Sequence, residues 1–142
     1  MTRKRINLAL GFDFGMKYIG YAVGQTITQG SRPLGIIKAK QGKPDWHAVS
    51  KIIGQWQPQA LIVGIPFGMV PDEGNDIEAF AKKFANQLGE RYQLPVYTID
   101  ERLSSRAAWE QLTEEGRHPD KATVDATAAQ IILQSWLNEY CA

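Results

Sequence analysis

The sequence is poor in the residues that build sulfur and imidazole metal sites. Its 142 residues include one cysteine and two histidines. A single cysteine, Cys141, excludes an internal disulfide framework and a metal site built on cysteines. His47 and His118 lack the short spacing that would make them a ligand pair. A metal ion bound by this chain would therefore have to be held by carboxylate oxygens.

The sequence also lacks long apolar runs and a strong excess of charge. No apolar run approaches the roughly 20 residues that a membrane span needs, so we expect no membrane partner. A basic start, Arg3–Arg5, precedes an apolar run that Asp13 interrupts, and no small-residue cleavage site follows. This pattern argues against a signal peptide, and we expect a cytoplasmic protein. The formal net charge is +1, so a nucleic-acid interface can be argued only from local clusters of charge.

The hydrophobic pattern predicts one α/β domain over residues 1–142. Strands are expected in the two arms of a hairpin within Leu8–Gly24, and then at Arg32–Lys38, Ala60–Gly64 and Leu94–Ile99. Helices are expected to be one capped by Asp45 and ending before Pro58, one beginning at Asn75, one capped by Ser104 and stopping at Gly116, and one from about Thr123 to Tyr140. Lys38–Pro44 has the composition of a loop. This order predicts a mixed five-stranded sheet, an antiparallel hairpin plus parallel strands, with helices on both faces.

The hairpin within Leu8–Gly24 has one face that is almost bare of side chains. Alternation places the bulky residues on one face, and the other carries Ala9, Gly11, Asp13, Gly15, Gly20, Ala22 and Gly24. Glycine inside a strand often marks a close approach by a ligand or another backbone. An unpaired buried carboxylate is costly, so Asp13 needs a partner. That partner is either a metal ion or the backbone N–H groups of the turn at Gly15–Tyr18.

A second acid is expected at the carboxyl end of the last strand, where ligands gather in open α/β sheets. Alternation allows only one of the adjacent acids, Asp100 and Glu101, to share a face with Asp13. We favour Glu101 because Arg102 and the Ser104 cap follow it closely. The alternative is that these charged residues form a solvated turn.

The third acid, Asp125, lies on the last helix, on a face that is small around it. Ala128 and Ala129 share this face. An alanine face can pack against the bare face of the hairpin, with Gly20 and Ala128 at the contact, and this packing would carry Asp125 to Asp13. The alternative for Asp125 is a position in the first helical turn, where a negative charge is favoured by about 0.3–1 kcal/mol.

Three carboxylates without histidine or cysteine partners suit Mg²⁺ or Mn²⁺. Proteins use such ions to hydrolyse phosphodiesters. Basic residues that could hold phosphates flank the acids in the sequence: Lys17, Arg102, Arg106, Arg117 and Lys121. A phosphate could also bind at the helix N-terminus at Ser104. The sequence therefore predicts a nuclease that binds nucleic acid through phosphate contacts.

Four motifs, FDFGMKYIGYAVG, IVGIP, IDERLSS and VDATAAQIIL, together resemble the bacterial YqgF/RuvX family. The resemblance covers most of the chain. It implies an RNase H-like fold and a nuclease in which Asp13, Glu101 and Asp125 form the catalytic, metal-binding set. It also implies a role in processing the 5′ end of pre-16S ribosomal RNA during ribosome biogenesis. The chain departs from the family at residues 67–74 and in a short Gly116–Ala122 loop, and both stretches could border the substrate groove.

Three other functions are compatible with the sequence. A Holliday junction resolvase acting on branched DNA should be a dimer, and no sequence feature decides between a monomer and a weak homodimer. A non-catalytic RNA-binding adaptor would have no need of the three acids. An actin-like ATP-binding domain would need a second domain, for which 142 residues leave no room. Trp109 and Trp136 are expected in the core rather than at an interface.

Overall fold

The computed structural model describes residues 5–66, 76–101, 104–116 and 120–141, with the backbone alone for 104–106. Its strands are β1 (Leu8–Asp13), β2 (Tyr18–Gln25), β3 (Gly30–Lys40), β4 (Lys43–Pro44), β5 (Ala60–Ile65) and β6 (Val96–Asp100). They form one sheet in the order β4-β3-β2-β1-β5-β6. β1 to β4 pair antiparallel in succession, whereas β5 runs parallel to β1 and to β6. The mixed sheet is confirmed, but it has six strands rather than the predicted five.

The additional strand, β4, lies in a stretch that was predicted to be a loop. It pairs with Ala39–Lys40 at the end of β3. Gln41 and Gly42 connect the two strands with φ values of 51° and 80°. Positive φ at both central residues is typical of the tight turns that close β-hairpins, and these turns favour Asn-Gly. The pair Gln-Gly is a weaker signal, which explains why the hairpin was missed.

Four helices complete the fold: α1 (Trp46–Trp56), α2 (Ile77–Tyr92), α3 (Ser104–Glu114) and α4 (Lys121–Tyr140). Asp45 caps α1 as predicted, and its carboxylate accepts a hydrogen bond from Ala48 N at 3.2 Å. Asp76, one residue after the predicted Asn75, caps α2 by accepting from Ala79 N at 3.2 Å. Within the described ranges, no helix has both the length and the apolar character needed to cross a membrane.

The starts of α3 and α4 also differ from the prediction. Ser104 is the first helical residue of α3 rather than its cap. α4 begins at Lys121 instead of Thr123, and Asp120 caps it. Asp125 therefore lies beyond the first turn of α4. The favourable effect of the helix dipole on a negative charge falls off within the first turn. It therefore does not explain why an acid stands at position 125.

The sheet separates two layers of helices, as predicted. α1 and α2 cover the face that carries the bulky hairpin residues, where Phe12 meets Phe84 of α2 with ring centroids 5.6 Å apart. α4 covers the face of small residues, where a Cβ on Gly11 would lie 2.7 Å from Leu133 Cβ. α3 packs against α4. The bare hairpin face is thus occupied by a helix, and its small residues let α4 approach the strands closely.

The two tryptophans that were expected in the core differ in their environment. Trp136 is buried and stacks on Tyr140 with 4.8 Å between ring centroids. Trp109 is 51% exposed, so this part of the prediction is wrong. The buried stripe of α3 is formed by Ala108 and Leu112, and Trp109 lies beside that stripe.

Candidate active site

Asp13 is the last residue of β1, at the edge of the sheet where the parallel strands end. Its partners on the two neighbouring strands are both glycines, Gly20 on β2 and Gly64 on β5. Residues paired across adjacent strands point to the same face. Asp13, which is 7% exposed, therefore stands between two positions that have no side chain. These two positions leave room for groups from elsewhere in the fold.

Gly20 allows α4 to approach β2 until the two backbones touch. A Cβ at Gly20 would overlap the carbonyl oxygen of Asp125 and would lie 2.9 Å from Ala126 N. Asp125 itself is 4% exposed. The predicted contact between the helix and the hairpin is present at Gly20, but Asp125 and Ala126 make it rather than Ala128.

Gly64 provides the corresponding space for Glu101. A Cβ at Gly64 would lie 2.8 Å from Glu101 Cβ and 2.9 Å from its Cγ. Glu101 N donates to Ile65 O at 3.1 Å, which extends the pairing of β5 with the chain just beyond β6. Ile99 lies two residues earlier and therefore on the same face, and it packs against the apolar cluster that includes α4. Glu101 thus lies on the same face of the sheet as Asp13, in agreement with the choice made from the sequence.

The three acids interact electrostatically. Burial raises the pKa of Asp13 well above its ordinary value, and the charges of Glu101 and Asp125 raise it further. A hydrogen bond with the Glu101 side chain acts in the same direction, whereas the charge of Lys121 lowers this pKa. Two carboxyl groups can hydrogen-bond only when one of them carries a proton. Burial and the hydrogen bond with Glu101 therefore both favour the protonated form of Asp13.

The carboxylate of Asp125 has a partner for only one of its oxygens. Oδ1 accepts a hydrogen bond from Lys121 Nζ at 2.7 Å, from one turn earlier on α4. Oδ2 is buried and has no hydrogen-bond partner among the described residues. A buried polar atom without a partner costs about 1–3 kcal/mol, and more when it is charged, so it indicates a ligand. The side chain of Lys121 is 74% exposed and can turn away without disturbing α4.

A cavity of about 510 Å³, which we name the active-site cavity, opens beside the three carboxylates. Asp13, Glu101 and Asp125 all line it, and so do Lys17 and Lys121. Its volume is within the range of about 300–1,000 Å³ that is typical of ligand sites. The cavity lies beyond the carboxyl ends of the parallel strands, where open α/β sheets bind their ligands.

The donor set has the chemistry that a divalent cation requires. Hard carboxylate oxygens are the ligands that Mg²⁺ and Mn²⁺ prefer, and a bound dication would satisfy Asp125 Oδ2 and favour ionised Asp13. In the described ranges, however, no three acidic, histidine or cysteine side chains are already arranged around a common metal position. A cation would have to displace the ammonium group of Lys121 from Asp125 and compete with the hydrogen bond between Asp13 and Glu101. The residues fit a metal after rearrangement of their side chains.

Comparison with known proteins decides the family. The RuvX family model, described as Holliday junction resolvase, matches residues 7–139. The chain belongs to the RuvX family. A candidate pre-16S rRNA nuclease of Legionella pneumophila (strain Philadelphia 1) is 49% identical over 132 residues, which cover 92% of this chain and 94% of that protein. The protein of the same name from Proteus mirabilis is 48% identical over 131 residues, which cover 89% of this chain and 92% of that protein.

Among solved structures, the RuvX-family chain is similar to RuvC of T. thermophilus in complex with Holliday junction substrate. The TM-score is 0.59 and the identity 17%, over 96% of this chain and 98% of that chain. A likeness at this identity concerns the fold, and it confirms the predicted RNase H-like architecture. The family match confirms the predicted resemblance. The RuvX-family chain is a nuclease, an enzyme that hydrolyses phosphodiester bonds, as predicted.

The residues predicted to bind nucleic acid are Lys17, Arg102, Ser104, Arg106, Arg117 and Lys121. The two lysines line the active-site cavity of the RuvX-family chain. Ser104 and Arg106 belong to the first turn of α3, where only the backbone is described. The arginines at 102 and 117, and the divergent loop at 67–75, lie outside the described residues. The roles of all six residues stay predictions.

Two features of the site were missed from the sequence. Gly64 ends a buried apolar run, and only its pairing with Asp13 shows why a side chain is absent there. Lys121 was assigned to phosphate, yet in the described structure it pairs with Asp125. The spacing of four residues between a lysine and an aspartate was a usable signal. The predicted start at Thr123 places Lys121 outside the helix, so this spacing does not predict the contact.

Proposed function

We propose that this chain is a metal-dependent nuclease that hydrolyses phosphodiester bonds in pre-16S rRNA, with Mg²⁺ or Mn²⁺ held by Asp13, Glu101 and Asp125. The observation that carries the proposal is Asp125 Oδ2, a buried carboxylate oxygen without a partner beside a cavity that Asp13 and Glu101 also line. The substrate is inferred from the names of relatives that are 48% and 49% identical over most of the chain. These names support a role in ribosome biogenesis.

Each ligand comes from a different element of the fold. The register of the sheet fixes the positions of Asp13 and Glu101. The close contact of α4 with Gly20 fixes the position of Asp125. A divalent cation bound there supplies Lewis-acid activation of water and neutralises charge on the reacting phosphate. A cation held by these residues would favour the ionised form of Asp13, because a nearby positive charge stabilises the carboxylate. Lys121, which would no longer be needed to neutralise Asp125, would then be able to contact a phosphate oxygen.

Phosphate contacts would hold the substrate over the acids. Lys17 and Lys121 line the active-site cavity and are well placed for such contacts. Arg102, Arg106 and Arg117 flank the acids in the sequence and would extend the contact surface. Because phosphate contacts carry no base preference, this binding should be tolerant of sequence and sensitive to salt.

Metal-dependent cleavage of a substrate panel tests the proposal. The panel comprises a pre-16S rRNA fragment, single-stranded and duplex RNA, single-stranded DNA and a four-way DNA junction. We expect cleavage of the rRNA fragment with Mg²⁺ or Mn²⁺ and none with a chelator. Asp13→Asn and Asp125→Asn should each lower kcat/KM by about 100-fold or more, the usual order for loss of one group that stabilises the transition state. Glu90→Gln, an exposed acid of α2 outside the cavity lining, is the matched control and should cleave at the wild-type rate.

A Holliday junction resolvase acting on branched DNA is the second candidate function, because the matching family model carries that description. A resolvase cuts two strands symmetrically and should act as a dimer. The rRNA nuclease requires no such symmetry, and for it we propose a monomer or a weak homodimer. Two symmetric nicks in the four-way junction, from a protein that sediments as a dimer and leaves the rRNA fragment intact, would replace the first proposal with this one.

A further inference from the structure

We propose that a second pocket, beside the active-site cavity, binds a base of the single nucleic-acid strand whose scissile phosphate lies over the acids. This pocket, which we name the hairpin pocket, lies between the β3–β4 turn and the facing sides of α1 and α2. Its lining includes Gly42, Lys43, Trp46, Phe80, Lys83 and Gln87. The inference rests on the proposed function, because it takes a nucleic-acid strand as the substrate.

The hairpin pocket combines aromatic rings with a basic rim. Trp46 and Phe80 are half-buried and line a volume of about 410 Å³. Arg91 covers one face of Trp46, with its Cζ 4.1 Å from the ring centroid, and Phe84 and Tyr92 also contact this ring, so we assign the stacking surface to Phe80. Lys43 and Lys83 are exposed beside the rings. Aromatic rings that stack bases, next to cations that follow the backbone, are the usual means of binding single strands.

A thin wall separates the hairpin pocket from the active-site cavity. Met16 and Ile77 line the active-site cavity, and Phe80, one turn after Ile77 on α2, lines the hairpin pocket. A Cβ at Gly42 would lie 2.7 Å from Phe80 Cδ1 and 3.0 Å from Met16 Cε, so the turn packs on both side chains. A strand that crosses the acids can therefore pass over Met16 and enter the hairpin pocket.

Backbone hydrogen bonds tie the β3–β4 hairpin to the loop that leaves β1. Gly42 N donates to Met16 O at 3.0 Å, and Ala39 N donates to Lys17 O at 2.8 Å. Lys17 lines the active-site cavity, and Lys43 follows Gly42 at the hairpin pocket. The two binding surfaces therefore have a fixed relative position, which lowers the entropic cost of holding one strand at both.

The charge around the hairpin pocket favours a polyanion. Between Asp13 and Asp45 the sequence has no Asp or Glu, and its basic residues there are Lys17, Arg32, Lys38, Lys40 and Lys43. The described residues that line the hairpin pocket include no acid. Lys83 is part of that lining, whereas its neighbour Lys82 is paired with Glu78 at 2.7 Å. The adjoining nuclease site makes a nucleic-acid strand the polyanion that fits.

The test compares two probes: an oligouridylate of about 16 nucleotides, near the upper limit of usual single-strand site sizes, and an abasic strand of the same length. Binding is measured in the presence of a chelator. The double variant Lys43→Gln/Lys83→Gln should weaken both probes by about 25-fold at 0.1 M salt, about fivefold for each lysine that no longer binds a phosphate. Its plot of log affinity against log salt should be flatter by about 1.4. Lys51→Gln, an exposed lysine of α1 outside both cavity linings, should match the wild type.

Phe80→Leu separates base stacking from charge. Leucine keeps an apolar side chain under the β3–β4 turn but removes the ring. This variant should bind oligouridylate about 5- to 160-fold more weakly and should bind the abasic strand like the wild type. Equal weakening of both probes by Phe80→Leu, or wild-type binding by Lys43→Gln/Lys83→Gln, would overturn the proposal. Unchanged melting temperatures establish that the variants are folded.

Failure of this inference can be told apart from failure of the proposed function, because binding in chelator does not depend on hydrolysis. If the Lys43→Gln/Lys83→Gln and Phe80→Leu variants bind more weakly as expected, the hairpin pocket stands even when no substrate of the panel is cleaved. If the wild type cleaves RNA with Mg²⁺ and these variants bind both probes normally, the hairpin pocket is refuted and the nuclease assignment stands.

Discussion

In a Gly20→Ala variant, one added methyl group should lower activity far more than stability. The new Cβ would overlap the carbonyl oxygen of Asp125 and would lie 2.9 Å from Ala126 N, whereas ordinary contacts begin at 3.4 Å. Both obstacles are backbone atoms of α4, so no side-chain rotation can relieve them. α4 must therefore move away from β2 by at least 0.5 Å, the difference between these two distances.

The two effects of this displacement differ in size. Overpacking of a well-packed contact costs about 1–3 kcal/mol in the free energy of unfolding. Asp125 moves with α4 while Asp13 stays on β1, so the two proposed ligands change their separation. A misplacement of about 1 Å in an active site can lower the rate about 100-fold. We therefore expect kcat/KM to fall by about 100-fold under conditions in which the variant is fully folded.

Urea unfolding measures the change in stability, and cleavage of the rRNA fragment with Mg²⁺ measures the activity. Gly54→Ala is the matched control, because a Cβ at Gly54 meets no neighbouring group within 4 Å. Alanine in the interior of α1 should stabilise that variant by up to about 1 kcal/mol and leave its activity unchanged. The reasoning is refuted if Gly20→Ala loses activity only in proportion to its unfolded fraction.

Three further sets of changes have defined outcomes. Asp13→Asn should raise the free energy of unfolding of the metal-free protein by about 1–2 kcal/mol at neutral pH, as removal of a functional charge often does. Because the pKa of Asp13 is raised in the folded state, ionisation of Asp13 penalises folding. The gain in the free energy of unfolding, measured with urea, should therefore disappear as the pH falls below about 4, the pKa of an unfolded aspartate. A gain that persists at lower pH would contradict the assignment. Gln41→Asn should stabilise the protein by about 0.5 kcal/mol in thermal unfolding, since Gln41 has a φ of 51° that asparagine adopts more readily, and a lower Tm would contradict this. Lys121→Ala and Arg106→Ala should each reduce the slope of log RNA affinity against log salt concentration by about 0.7–0.9 and leave base preference unchanged. An altered base preference would argue against phosphate contacts.

The part of the site that was predictable from sequence depends on side-chain size and strand alternation. The absence of side chains beside Asp13 indicates how closely another element can approach, and α4 does approach there, at Gly20. Alternation along β6 is also local, and it allows only one of Asp100 and Glu101 to share the face of Asp13, where the structure places Glu101. Such properties belong to single segments and can be read before any pairing is known.

The parts that were missed depend on pairing between distant segments or on weak turn signals. Gly64 is an ordinary residue of a buried strand until β5 lies beside β1 and sets it opposite Asp13. The β3–β4 hairpin is closed by Gln-Gly, which lacks the Asn-Gly signal of a tight turn. The exposure of Trp109 depends on which side of α3 packs against α4, and residue type alone does not decide this.

Three carboxylates in one cavity repel one another, and two contacts among the described residues reduce this repulsion. The hydrogen bond of Asp13 with Glu101 favours the protonated form of Asp13, and Lys121 donates to Asp125 Oδ1. Neither arrangement reaches Asp125 Oδ2, which is buried without a partner in the described part of the chain. The Lys121 side chain is 74% exposed and can turn away from Asp125. A positively charged ligand at this position would reduce the repulsion and satisfy this oxygen, which supports our proposal that the three acids hold a divalent cation.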